Sequence, residues 1–274
     1  MNDLRQPRLV MEAGSKTYYS RNASKEVLAG IDLTVHASEF LSIVGPSGAG
    51  KTTLLRCLSG LMPLSSGRII LDGEVLTEPS PVVSVVFQEY SRSLMPWMTV
   101  ADNVALPLRG RKVPRASVKA RVGEVLESVG LSGTERQHPW QLSGGMQQRV
   151  AIARALVTQP EVLFMDEPFA SVDAQTRLDL EDLTRRLQQE RQMSVVLITH
   201  DIDEAIYLSD RVVVLSKEPA TVREIIENDL GAVRDQISTR ELPAFMERRS
   251  HVLGLIREIQ HAKAVPAELS TSSS

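Results

Sequence analysis

The sequence predicts a layered α/β protein with a helical subdomain inserted in its core. Three observations carry this. Short, nearly continuous apolar runs recur along the 274 residues; longer segments with helical periodicity separate them; and the stretch between residues 87 and 162 offers helices but no convincing strand.

The β-rich runs are residues 40–44, 82–87, 162–165, 195–199 and 212–215. Most are apolar at nearly every position, as strands buried on both faces of a parallel sheet must be. Helical patterns occupy residues 51–61, 101–108, 116–129, 145–157 and 175–191. The order divides the chain into a first core segment (1–88), a helical subdomain (89–160), a second core segment (161–216) and a C-terminal extension (217–274). That extension alternates acidic and basic residues, contains an amphipathic helix over 243–259, and ends Glu-Leu-Ser-Thr-Ser-Ser-Ser. Such a polar tail cannot bury enough surface to order itself. No internal repeat is present.

Composition narrows the function classes. The chain is 42% hydrophobic and 24% charged, and only 4% aromatic, so Val, Leu, Ile, Ala and Met must build the core. Its longest stretches without charge, such as 57–67 and 137–148, fall well short of the roughly 18 apolar residues of a membrane helix. The first dozen residues carry charge throughout and offer no apolar signal region, which predicts a cytoplasmic protein. Cys57, the single cysteine, cannot form an internal disulfide or a cysteine metal cage, and is expected to pack as a small hydrophobe. With 31 basic against 34 acidic residues, net charge gives no support to nucleic-acid binding.

Residues Gly45-Pro46-Ser47-Gly48-Ala49-Gly50-Lys51-Thr52 match the G-x-x-x-x-G-K-[ST] phosphate loop, directly after one apolar run and before a helix. The chemistry explains the spacing. Glycines let backbone N–H groups converge on phosphate oxygens, the helix N-terminus adds its dipole, Lys51 neutralises β/γ charge, and Thr52 offers a hydroxyl to Mg²⁺. Thr53 follows as a further phosphate-holding candidate.

A second strand pattern ends in Asp166 and Glu167. A carboxylate at the C-terminal end of a strand faces the crevice where ligands bind in open α/β sheets, so Asp166 is a candidate for Mg²⁺ and Glu167 for general base. The run 195–199 repeats the format and delivers His200 to the same edge, where an imidazole could contact the γ-phosphate. Gln88 follows the run 82–87. Leu142-Ser143-Gly144-Gly145-Met146-Gln147-Gln148-Arg149 adds a good N-cap, exposed glycine N–H groups and apolar residues at helical spacing, a second anion-binding helix terminus.

This ordered set resembles the nucleotide-binding subunits of ATP-binding cassette (ABC) transporters, from about residue 9 to 215: a P-loop NTPase core carrying an inserted helical subdomain and a short C-terminal extension. The resemblance implies an ATP hydrolase whose site is shared by two copies arranged head to tail. Lys51, Thr52, Gln88 and Asp166 would hold phosphate and Mg²⁺, Glu167 would activate water, and His200 would sense the γ-phosphate. Ser143, Gly144, Gly145 and Gln147, which match the family's signature motif, would complete the opposite copy's ATP site. Tyr18 resembles the aromatic that stacks on adenine, with Tyr19 the lesser candidate, and Asp173 matches the loop linking the two sites. Ala170 and Val172 depart from the Gly and Leu common in that loop.

The segment Leu94-Met-Pro96-Trp97, followed by Asp102-Asn103-Val104, is similar to the ATPases of nitrate, sulfonate and taurine importers. In that family this region, here with Phe87, Tyr90 and Trp97, faces a groove that receives a helix of the membrane subunit. The implied partners are a second copy, transmembrane permease subunits and, indirectly, a solute-binding protein, at the cytoplasmic face of the inner membrane. An exporter or lipid-transport ATPase is the alternative. A soluble ABC ATPase acting on nucleic acid or ribosomes would generally carry a coiled-coil, zinc-binding or tandem-cassette insertion.

Overall fold

The computed structural model describes residues 6–20, 23–89, 93–111 and 113–261. Tyr90 and the polar tail after His261 lie outside the described residues, and with them the expectations made for both.

Two sheets organise the fold. The first is antiparallel in the order β2-β1-β4-β5, from β1 (Pro7–Ser20), β2 (Ala23–His36), β4 (Ser66–Leu71) and β5 (Glu74–Val75). The second runs β10-β9-β3-β8-β7-β6, from β3 (Phe40–Val44), β6 (Val83–Val86), β7 (Val162–Asp166), β8 (Ser194–Ile198), β9 (Arg211–Leu215) and β10 (Val222–Glu227). Its five strands from β9 to β6 run parallel, and β10 closes the edge antiparallel to β9.

The parallel strands are buried on both faces, and side chains alternate between two cores as the two-residue period of a strand requires. Val195 and Leu197 face a core shared with the helices α4 (Gly144–Leu156), α5 (Ala174–Arg191) and α6 (Ile202–Leu208). Val196 and Ile198 face the other, shared with α1 (Lys51–Leu58) and the antiparallel sheet. Cys57 is fully buried in that second core, and burial pushes its thiol up to about 11. It packs as a hydrophobe.

Between β6 and β7 the described chain is helical: α2 (Val100–Ala105), a 3₁₀ turn at Leu106–Leu108, α3 (Arg115–Ser128), a second turn at Pro139–Gln141, and then α4. After β10, α7 (Pro243–His261) buries Phe245, Val252 and Leu255. Spaced seven and three residues apart, they form one apolar stripe along the helix. The stripe joins the core that contains α6 and β9.

The structure corrects the sequence reading in three places. The antiparallel sheet and α6 stood in no predicted element, and the core sheet does not end at residue 216. β10, inside the segment assigned to the extension, is its edge strand, and Ala220 also bridges to Leu28.

Topology then positions the chemistry. Because β6, β7, β8 and β3 are adjacent and parallel, with Met165 opposite Val86, Asp166 opposite Ile198 and Ile43 opposite Ile198, all four end at one edge. Gln88, Glu167, His200 and the Gly45 loop each follow one of those ends.

Candidate functional site

The turn after β3 is a glycine-dependent loop. Gly48 and Gly50 have φ of +76° and +78°, the left-handed region where a Cβ is strained. At Gly50 space adds to the demand, since a Cβ would lie 2.8 Å from Val27 Cγ1. Lys51 begins α1, is only 8% exposed, and donates to the carbonyls of Gly45 at 2.9 Å and Pro46 at 3.1 Å. Its ammonium is thereby held within the loop. Burial lowers its pKa, opposed by the charges of Glu167 and Asp166.

Thr52 Oγ1 donates to Asp166 Oδ1 at 3.3 Å, joining the phosphate loop to the end of β7. Asp166 is buried, and its pKa is raised chiefly by that burial and by Glu167 beside it, against the Thr52 bond and the charges of Arg56 and Lys51. Glu167 takes φ +44°, unusual for a non-glycine residue, while its N–H donates to Ile198 O at 2.8 Å. Its Oε2 accepts from Gln88 Nε2 at 3.0 Å and lies 3.2 Å from His200 Nδ1. Three sequence-predicted residues on three loops thus meet on one oxygen.

A hydroxyl and a carboxylate in contact at the mouth of a phosphate loop suit Mg²⁺, a hard ion that takes one or two carboxylates and completes its shell from phosphates and water. No cluster of three or more His, Cys, Asp or Glu able to hold a metal occurs among the described residues.

Ser143 caps α4, accepting from Met146 N–H at 3.3 Å, so the N–H groups of Gly144 and Gly145 stand at an open helix end. Among the described residues no hydrogen bond or ion pair joins residues 143–147 to the phosphate loop. Gln147 turns inward, its amide donating to Pro139 O at 3.0 Å and Leu142 O at 3.2 Å. Its nitrogen braces the signature loop rather than facing out from it. Asp173 caps α5, accepting from the N–H and hydroxyl of Thr176 at 3.0 and 2.6 Å, and those bonds hold its carboxyl below the usual range. Tyr18 is 42% exposed beside the phosphate loop, with its hydroxyl 3.3 Å from Thr53 Oγ1. Tyr19 is still more exposed.

The sequence profile of the family described as "ABC transporter" matches residues 28–170, more than half of the chain. The chain belongs to the ABC transporter family. It is 41% identical over 239 residues to the aliphatic sulfonates import ATP-binding protein SsuB of Bacillus anthracis, covering 87% of this chain and 92% of that protein. It is 41% identical to the nitrate import ATP-binding protein NrtC of Synechococcus elongatus, covering 86% of this chain and 36% of that longer protein. Among solved structures, the dimeric post-hydrolysis state of the ATP-binding cassette MJ0796 bound to ADP and Pi superposes with a TM-score of 0.70 at 31% identity, covering 80% and 98% of the two chains. CbiO1 of Clostridium perfringens, part of the ABC transporter complex cbiONQ, gives 0.75 at 27% identity, covering 95% and 100%. The chain is therefore an ABC ATP-binding subunit and an ATP hydrolase, of the branch that includes the sulfonate and nitrate import proteins.

Within this ABC subunit, the segment after Gln88 is pinned from two sides. Asn103 is fully buried, and its side chain bonds Met95 N–H at 2.7 Å and the carbonyls of Met95, Met98 and Thr99 at 3.0, 3.3 and 3.0 Å. That leaves Trp97 projecting at 71% exposure. Arg154, on the helix that starts at the signature, grips Ser93 O and Oγ, both at 2.6 Å.

Three features escaped the sequence reading: Arg154, the exposed Trp140 stacked on His138 just before the signature, and Arg177, which pairs with Asp201 at 3.2 Å behind His200. Arg154 and Arg177 carried no signal beyond an arginine in a helix. Trp140, one of two tryptophans and three residues before Ser143, did.

Proposed function

We propose that this chain is the ATP-driven motor subunit of an importer for a sulfonate, nitrate, taurine or related small solute, working as a two-copy ATP sandwich against separate membrane subunits. The observation that carries the reading is the convergence of Gln88, Glu167 and His200 beside a phosphate loop whose Thr52 touches Asp166. That edge holds every group phosphate hydrolysis needs except a second set of anion-binding N–H groups. The open N-terminus of α4 supplies such a set, and among the described residues it is hydrogen-bonded to nothing in its own phosphate loop.

In this reading Lys51 and the backbone N–H groups between Gly45 and Thr53, Pro46 having none, hold the β- and γ-phosphates, and Tyr18 stacks on adenine. Thr52 and Asp166, with Gln88, would hold Mg²⁺, which would supply neutralisation of phosphate charge. Glu167 accepts the proton of the attacking water, and His200 reaches the γ-phosphate. Ser143, Gly144 and Gly145 of the opposite copy close over the same phosphate, Gln147 keeps their loop in shape, and Asp173 ties the two sites together. ATP then acts as glue, and hydrolysis releases the dimer.

Transport follows if closure moves the helical subdomains. The segment from Gln88 to Trp97, fastened to α4 through Arg154, connects the site to the surface proposed to meet a permease at the cytoplasmic face of the inner membrane. No helix among the described residues is long and apolar enough to cross a membrane. A solute-binding protein would deliver the solute.

Ser143→Arg tests the shared site. Expected is loss of ATP-dependent dimers and of turnover with ATP binding retained, since Lys51 lies in the other half-site. Unchanged activity defeats the sandwich. Co-purification with membrane and solute-binding subunits, followed by a ligand screen on the latter, identifies the cargo.

A further inference from the structure

The helix α6 starts immediately after His200, and its first turn is built in an unusual way. Asp201 caps it, accepting from the N–H groups of Asp203 at 2.9 Å and Glu204 at 3.2 Å. Glu204 occupies the third helical position, from which a glutamate commonly reaches back to the N–H of the capping residue. Here that N–H is already taken by Thr199 Oγ1 at 2.9 Å. Glu204 is instead turned inward and is 4% exposed. Its Oε1 is buried with no hydrogen-bond partner among the described residues.

Arg177 of α5 shows the matching defect. One guanidinium nitrogen pairs with Asp201 Oδ2 at 3.2 Å, while its Nε is buried and without a partner among the described residues. Both Arg177 and Glu204 line one cavity of about 10 Å³, whose other walls include Thr199, Glu167 and His200. Both residues that carry an orphaned polar atom border this cavity, orphaned buried polar atoms are costly, and about 10 Å³ is the smallest volume that admits a single water.

We propose that this cavity is an ordered-water site, in which one water accepts from Arg177 Nε–H and bonds Glu204 Oε1, and that Glu204 is through it a positioning residue for Glu167 and His200. The inference rests on the reading that those two act at the γ-phosphate. The donor and acceptor count closes: Arg177 can only donate, the water accepts from it, and the carboxyl takes the water's hydrogen or gives its own. Burial, with Glu181 and Asp201 adding, pushes the Glu204 carboxyl well above the usual range. The group can therefore sit there neutral, able both to donate and to accept. The bridge locks the turn from Thr199 to Asp201 against α5, and His200 lies inside that turn.

The test pairs a crystal structure with kinetics. A high-resolution structure of the intact protein should show one water within hydrogen-bond distance of Arg177 Nε and Glu204 Oε1; a dry cavity overturns the proposal. Glu204→Gln, which keeps donor and acceptor, should retain the water and near wild-type turnover. Glu204→Leu should lose the water and lower kcat by about tenfold to a hundredfold with KM for ATP unchanged, as small misplacement of catalytic groups does. Wild-type kcat in Glu204→Leu overturns the positioning role. Should that variant fail to fold, Arg177→Lys removes the Nε donor with the charge kept and is held to the same kcat loss. Failure of the underlying reading looks different, with full turnover by Glu167→Gln and the water still in place.

Discussion

The Gln88 amide donates to Glu167 Oε2 across 3.0 Å, on the same oxygen that faces His200 Nδ1 at 3.2 Å. An oxygen held from two sides sits at a fixed position, and the left-handed backbone of Glu167 aims it there. Glu167→Gln preserves the shape and removes the proton acceptor. Phosphate release is expected to fall by about 10² to 10⁴-fold, with ATP-dependent dimers retained on gel filtration. Full turnover would remove Glu167 from the role of base.

Gly145 and Thr176 set a second constraint. A Cβ on Gly145 would lie 2.3 Å from Thr176 Cγ2, and the Thr176 side chain cannot turn away without giving up its hydroxyl's bond to Asp173. Gly145→Ala should therefore destabilise the fold by about 1–3 kcal/mol, as overpacking does, measured by denaturant unfolding. Thr176→Ser removes the offending methyl while keeping the hydroxyl, and the double variant should recover most of the loss. A Gly145→Ala protein as stable as wild type would show that the two elements separate freely.

Sequence reading reached the parallel strands and the residues at their ends because both rest on strong local patterns. The run Phe40–Val44 is apolar at four of its five positions, and fixed spacing then placed Lys51 and Thr52. The antiparallel sheet was illegible for a physical reason. β1 and β2 pair with register shifts around Met11, Gly14 and Lys16, which break the two-residue alternation. Ala13 takes φ +46°, and Gly67 approaches so closely that a Cβ there would lie 2.4 Å from Ala13 O. At seven residues α6 is too short for a helical period to show. Contacts made across the fold, such as Arg154 to Ser93 and Arg177 to Asp201, leave no mark in spacing at all.

In the proposed function the two exposed aromatics next to the site have separate roles, Tyr18 in nucleotide binding and Trp97 in coupling. Tyr18 stands beside the phosphate loop and Trp97 beyond the Asn103 brace. Tyr18→Ala should weaken ATP binding by about 0.5–1.5 kcal/mol, the worth of an aromatic stack, read as a several-fold rise in Kd. Trp97→Ala should leave ATP hydrolysis by the isolated subunit unchanged and lower ATP-driven transport in the assembled complex. Equal loss in both assays for either variant would contradict this division.

Stability should depend on pH through two buried glutamates, Glu181 on α5 and Glu204 on α6. Glu181 is almost fully buried, accepting from Arg240 at 2.9 Å and Gln236 at 3.1 Å, yet burial outweighs these partners and moves its pKa from 4.5 to about 7. The folded chain thus binds a proton that the unfolded chain has released between those values. Stabilisation from this group is complete below about pH 4.5 and is lost as pH rises through about 7. Glu181→Gln fixes the side chain in its neutral form. Relative to wild type it should gain stability from pH 5 to pH 8, by at most about 3 kcal/mol, in denaturant unfolding at matched salt. Glu204, shifted in the same direction, leaves part of the slope in place. Parallel stability curves for the two proteins would mean that Arg240 keeps Glu181 charged throughout.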